Sequence, residues 1–159
     1  MSSDYLIKID GINGESKDKD FKDYIEVFGW SFSAQAPMDA ISRQRTGKTV
    51  VSDLTLVKAI DKSSVTLIER CVRNNNQPKD KATLICRKAG GKQYGFFQID
   101  LKKVRVRSVN TKAPETPGLP PVEIVVLTYQ EIEWTYREQM GDGQLKGEIV
   151  TSHDVAQNV

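Results

Sequence analysis

Residues 50–76 read VVSDLTLVKAIDKSSVTLIERCVRNNN, and inside this stretch the chain changes its period from two to 3.6. Leu54 and Leu56 alternate with Asp53, Thr55 and Val57, as in a strand with one buried face. Further on, Thr66, Glu69, Arg70 and Arg73 recur at helical spacing and draw a polar stripe, while Val65, Leu67, Ile68, Cys71 and Val72 cover the other face. Asp61 or Ser63 supplies the N-cap, an interaction of about 1 kcal/mol. The asparagines at 74–76 tolerate the left-handed geometry that ends a helix. A helix this short is marginal in water by itself. It has to dock its apolar face, Val65, Ile68, Cys71 and Val72, on strands, so the spacing predicts one helix plugging a β architecture.

Outward from this stretch the chain reads as strand. Residues 5–9 alternate, and 10–23 are turn-rich with a mixed charge run at 17–20 that reads as a solvated loop. From 24 to 34 the alternation is strong: Phe28, Trp30 and Phe32 lie on one face, and Val27, Gly29, Ser31 and Ser33 on the other. That second face of short side chains either borders a water-filled space or is ordinary exposed surface. Residues 37–48, with Pro37, Gly47, Arg43 and Arg45, read as an extended mobile loop. A strand over 82–88, a hairpin turn at 89–92 and a return strand over 94–109 follow, with a phase change at Lys102 and Lys103 that predicts a β-bulge. Four prolines make 111–121 an exposed connection. Residues 123–136 form the last strong strand, glycines at 141–143 break the chain, and 148–159 is a C-terminal strand or tail. Long alternating strands with one helix imply a single domain over 1–159, a β-barrel or a sandwich.

Composition narrows the function classes. The formal charge of +2 is a small excess over nearly balanced acids and bases, so bulk charge does not select nucleic acid as a partner. No apolar run approaches the roughly 20 residues of a membrane span, and the start, MSSDYLIKIDG, has neither the basic nor the apolar region of a signal peptide. Cys71 and Cys86 lack ligand-like spacing and read as reduced, buried small hydrophobes. His153 is the only histidine and sits in the weakly patterned tail, which argues against a nucleophile–histidine pair. Glu131 and Glu133 share a strand face, as a carboxylate pair for glycosidic chemistry would, but such residues more often pair across strands with bases such as Arg105 and Arg107. No metal or cofactor is expected. Basic groups over 102–107 near Tyr94, Phe96 and Phe97 keep a β-barrel binding single-stranded nucleic acid, or another polymer, as the alternative function.

Five stretches carry a resemblance: YLIKIDGINGESKD over 5–18, IEVFGWSF over 25–32, KAIDKSS over 58–64, RKAGG over 87–91 and EIEWTY over 131–136. In this order they resemble the Hcp (haemolysin-coregulated protein) family, the inner-tube proteins of the bacterial type VI secretion system. The resemblance implies a mainly β fold, a β-barrel of antiparallel strands with one short α-helix packed against it. It also implies a non-enzymatic subunit that closes as a homo-hexamer into rings. The rings stack inside a contractile sheath, are expelled with a spike protein, and carry effector cargo, so the protein is expected in the bacterial cytoplasm and then outside the cell without a signal peptide. Nucleic acid and membrane insertion are not expected. The sequence departs from the family's pattern at 37–48, which lacks a glycine run, and after 148, which lacks a tryptophan. On this reading Ser31, Gly29 and Ser33 line the channel and meet cargo, Arg43, Arg45 and Lys48 sit on the ring rim, and Glu69, Arg70 and Arg73 form the helix's partner face.

Overall fold

The structure, a computed structural model, describes residues 3–73, 80–88, 95–139 and 145–159; the expected helix stop at 74–76, the hairpin turn at 89–92 and the glycines at 141–143 lie outside them. β1 (Ser3–Ile9) and β2 (Ile25–Val27) are followed by β3 (Gly29–Ser31), the short pair β4 (Ala34–Gln35) and β5 (Val50–Val51), and β6 (Leu54–Ala59). Helix α1 (Ser63–Arg73) precedes β7 (Lys81–Lys88), β8 (Gly95–Lys102), β9 (Arg105–Lys112), β10 (Val122–Thr128), β11 (Glu131–Gln139) and β12 (Leu145–Asp154). The strands pair antiparallel in a six-stranded sheet ordered β12-β11-β8-β7-β1-β2, a four-stranded sheet ordered β3-β6-β10-β9, and the β4-β5 ladder.

Two corners pass the chain from the larger sheet to the smaller and wrap them into a barrel-like body without closing one hydrogen-bonded ring. Residues 24–34 are not one strand: β2 pairs with β1, whereas β3 pairs with β6. Between them Phe28 is 60 % exposed, so it does not join the core face expected for it. Trp30 does, edge-on to Tyr5 at 6.5 Å and stacked on Phe97 at 5.9 Å, and Phe32 meets Trp134 at 5.4 Å. β3 thus crosses the strands of the larger sheet. The phase change at 102–103 is the second corner rather than a bulge. Lys103 takes a φ of 55°, and β9 begins two residues later in the other sheet. The register shift within the smaller sheet lies instead where Val126 faces Ser108 and Leu127 faces Val106, leaving Arg107 as the extra residue. His153 is in β12, opposite Ile132, and not in a loose tail.

Residues 10–24 are less solvated than their charges suggest. Gly14 N–H donates to Asp23 O at 2.8 Å and Asp23 N–H to Ser16 O at 2.9 Å, so the segment folds back on itself. It reaches Arg87 on the outer face of the larger sheet, where Asp18 pairs with the guanidinium at 2.6 Å and the Phe21 ring lies 5.4 Å from it. That guanidinium holds the Asp18 carboxyl below its usual range.

Between the sheets, among the described residues, the core holds an ion pair. Lys58 and Glu123 are directly opposite on β6 and β10, on the inward face that also carries Leu54, Leu56, Val125 and Leu127. Both side chains are wholly buried, with Nζ to Oε2 at 2.6 Å. Ser64, in the first turn of α1, accepts from Lys58 at 3.2 Å and donates to Glu123 Oε2 at 2.8 Å. Asp61 lies 3.2 Å from Lys58 Nζ and caps the helix, accepting the Ser63 N–H at 2.9 Å while its own N–H donates to Ser64 Oγ at 3.0 Å. Asp61 is therefore the cap, not Ser63. The network ties helix and both central strands of the smaller sheet to one point.

This anchoring turns the helix away from the expected face. Ser63, Ser64 and Leu67 are buried, Cys71 is half-buried with Sγ 3.5 Å from Arg107 O, and Arg70 reaches inward to Asp80 at 2.8 Å. Arg70 packs over Gly11, whose φ of 76° suits glycine and where a Cβ would lie 2.5 Å from Nη2. Val65, Ile68 and Val72, expected to dock on the barrel, are exposed at 73 %, 41 % and 77 %.

Removing one partner from a buried pair leaves an uncompensated charge, which costs about 3–5 kcal/mol, whereas an apolar replacement of both is close to neutral. Glu123 Oε1 has no hydrogen-bond partner among the described residues, which adds to the cost of keeping the charge. Lys58→Met is therefore expected to lower stability by about 3–5 kcal/mol, and Lys58→Met/Glu123→Leu to recover most of it. Urea unfolding followed by tryptophan fluorescence at fixed protein concentration measures both; equal loss in the single and double variants would contradict this account.

Candidate functional site

The outer face of the four-stranded sheet is built from short and β-branched side chains. Gly29, Val57, Ile124 and Asn110 face one another across β3, β6, β10 and β9, and Ser31, Thr55, Val126 and Ser108 form the next row. The intervening inward row, Trp30, Leu56, Val125 and Val109, belongs to the core. Ser31 and Ser33 are exposed, and at Gly29 an added Cβ would meet nothing within 4 Å. The three residues expected at a channel therefore share an open surface. Their cross-strand neighbours, among them Thr55, Val126 and Ser108, were not singled out from sequence. Their alternation is legible on β6 and β10, but the pairing that joins them into rows is not.

One edge of this face is fixed by hydrogen bonds. Ser52 Oγ accepts the Ser33 N–H at 2.8 Å, Ser52 N–H donates to Ser33 O at 2.8 Å, and the Tyr129 hydroxyl donates to Ser52 O at 2.7 Å. Asp53 pairs with Arg107 at 2.6 Å. Behind Ser31, Trp30 covers the buried Cys86.

The loop at 36–49, expected on a ring rim, leaves the sheet at the same end. It is bonded to itself: Asp39 Oδ1 accepts the N–H groups of Ile41 at 2.9 Å and Ser42 at 2.7 Å, which holds its carboxyl below the usual range. Arg43 takes a φ of 60°, Arg45 donates to Thr49 at 2.9 Å, and Met38 and Arg45 form an isolated bridge. Arg43, Arg45 and Lys48 are exposed. The connection at 113–121 lies at the opposite end, because Ser31 pairs with Thr55 near the start of β6 while Val122 pairs with Ala59 at its end. On the helix, Glu69 and Arg73 are on the exposed side, but Arg70 is not, with its side chain 13 % exposed and held by Asp80.

Of the residues weighed for other chemistry, Glu131, Glu133 and His153 border one open groove of about 370 Å³ together with Asp100, Lys102 and Asp154. Glu133 lies opposite Asp100 and Ser152, and Glu131 opposite Lys102 and Asp154. Arg105 and Arg107, expected as their partners, are in the other sheet. Phe97 is drawn into the core, away from an exposed stacking groove. Among the described residues no group of three His, Cys, Asp or Glu side chains could hold a metal ion, and no helix is long and apolar enough to cross a membrane.

With this geometry in view, the comparison with known proteins is direct. A family model described as "Type VI secretion system effector, Hcp" matches residues 6–136. The chain belongs to the Hcp family. It is 36 % identical over 163 residues to the protein hcp1 of Pseudomonas aeruginosa, covering 100 % of this chain and 99 % of that one. A solved type six secretion system protein superposes with a TM-score of 0.90 at 28 % identity, covering 99 % of both chains. Hcp1 from Salmonella typhimurium superposes with a TM-score of 0.79 at 28 % identity, covering 99 % of this chain and 98 % of that one. The antiparallel fold with one helix is thus the Hcp fold, and the chain is a tube protein of the type VI secretion system.

Burial raises two groups next to the candidate face. It pushes the Cys86 thiol from its usual 9.0 up to about 11, an effect the Trp30 hydrogen bond offsets only in part. It pushes the Tyr129 hydroxyl from 10.0 up to about 12, with Asp53 adding to the rise. In each case the unfolded chain releases its proton first as pH rises, so stability is full below the unfolded pKa and is lost on the way to the folded one. Stability is expected to fall between pH 9 and 12, by up to about 1.4 kcal/mol per pH unit per group. Cys86→Val should flatten the lower part of the window. Denaturant midpoints at pH 8, 10 and 11.5 test this; a wild-type midpoint that does not move would refute it.

Proposed function

We propose that six copies of the chain close into a ring whose channel is lined by the outer face of the four-stranded sheet, and that these rings stack into the tube expelled by the type VI system. The observation that carries the reading is the pair of rows headed by Gly29 and Ser31. Short side chains at these positions leave a wide lumen while their inward neighbours form the core. Ser31, Gly29 and Ser33 contact effector cargo on this reading, and the role is structural rather than catalytic.

The self-bonded loop with Arg43, Arg45 and Lys48 and the connection at 113–121 lie at opposite ends of the same sheet. Head-to-tail stacking brings two different ends together, which is how a heterologous contact propagates into a filament. The loop then meets the next ring, or the spike at the tip. The exposed helix side with Glu69 and Arg73 is left for a neighbouring protein, the sheath included. The protein assembles in the cytoplasm and leaves with the tube.

Light scattering after size exclusion is expected to give a mass about six times the 17.8 kDa chain. Ser31→Gln should keep that mass and lose cargo retention, and reversing Arg43, Arg45 and Lys48 to Glu should leave rings that no longer form tubes by electron microscopy. Rings that retain cargo after Ser31→Gln would remove Ser31 from the channel.

A further inference from the structure

The exposed apolar stripe of α1 has no use within one copy of the chain. Val65, Ile68 and Val72 recur at helical spacing on the side facing away from the body, flanked by Lys62, Glu69 and the 73 %-exposed Arg73. Contiguous exposed apolar surface of this kind marks an interaction site. Its position is fixed by the fold. Arg70 binds Asp80 beside the start of β7 and packs on Gly11 beyond the end of β1, and Cys71 touches β9, an edge strand of the smaller sheet.

At the opposite ends of β1 and β7, and at the opposite edge of the smaller sheet, lies a groove of about 400 Å³ lined by Asp4, Glu26, Phe28 and Arg87. Phe28 is the 60 %-exposed aromatic at the corner from β2 to β3. Arg87 is paired with Asp4 and Asp18, so Glu26 and the Asp4 carboxylate set the sign of this surface. One side of the body thus offers an apolar stripe bordered by Lys62 and by Arg73, which lies 4.0 Å from Glu69, so that this border keeps one positive charge in excess, and the other an exposed aromatic with acids at its border. A second copy of this chain fits that arrangement, because two different, complementary surfaces on opposite sides make a head-to-tail contact that closes into a ring when the rotation allows.

We propose that neighbours within the ring meet through the Val65, Ile68 and Val72 stripe of one copy and the Phe28 groove of the next, with Arg73 and Lys62 of the first facing Glu26 and Asp4 of the second. The proposal rests on the ring reading above and assigns its lateral contact.

The test is the mass of the full chain in solution. Val65→Asp/Val72→Asp and, separately, Phe28→Asp are each expected to reduce the ring to single chains, with association at least tenfold weaker and circular dichroism unchanged, since all three positions are exposed. Mixing the two variants restores one intact contact, because the first keeps its groove and the second keeps its helix; the mixture is expected to stop at two chains. Ile41→Asp, at the 94 %-exposed tip of the rim loop, is the control and should keep the ring. If the aspartate pair unfolds the chain, Val65→Ser/Val72→Ser replaces it. Full-mass rings in either aspartate variant, or a mixture that stays as single chains, would overturn this contact and leave the ring reading standing. A wild-type chain that remains single at all concentrations would overturn both.

Discussion

The buried pair of Lys58 and Glu123 is the constraint on which the rest of the structure depends. Two opposite charges placed between the sheets are costly to desolvate, and they are tolerated only when neighbours supply hydrogen bonds. Ser64 and Asp61 do so from the first turn of the helix. The requirement therefore reaches beyond the pair. It sets where α1 begins, which residue caps it and which side of it faces inward.

The orientation of the helix follows from that requirement. Ser63, Ser64, Leu67, Arg70 and Cys71 occupy one side at helical spacing, and both ends of that side are held by polar contacts, to Glu123 at the start and to Asp80 toward the end. With these satisfied, Val65, Ile68 and Val72 have to face outward. A helix whose more apolar side is exposed makes little sense in an isolated chain, since each buried aliphatic side chain would gain about 1.5–3 kcal/mol. Membership of the Hcp family places the chain in an assembly, the tube of the type VI secretion system, and not alone in solvent.

The same division between inner and outer faces runs through the smaller sheet. Inward positions carry tryptophan, leucine and valine around the ion pair, whereas outward positions carry glycine, serine, threonine and β-branched residues. Large residues are spent on the interior. The outward surface stays low. The loop at 36–49 and the connection at 113–121 lie at the two ends, and the loop's own hydrogen bonds give it a defined shape.

Much of this was legible in the sequence. Alternation gave β1 and β6, the period change gave α1, and five ordered stretches gave the family resemblance, because strand and helix periodicities are local properties of the chain. That Ser31 and Gly29 share an outward face opposite Trp30 was also legible, since a run of short residues alternating with aromatics is visible without a partner strand. What the sequence could not decide is which of two plausible faces a helix buries, or to which sheet a strand belongs. The break at Phe28, the corner at Lys103 and the turn at Tyr129 and Gln130, which splits the strand expected over 123–136 into β10 and β11, each turn one apparent strand into two, and they depend on pairing between residues far apart in the chain. Lys58 and Glu123 are 65 residues apart, and nothing in either local pattern marks them as partners. Burial of a charge pair is a tertiary event: only when β6 and β10 are placed side by side do the two charges meet, and only then is the helix turned with its apolar stripe outward.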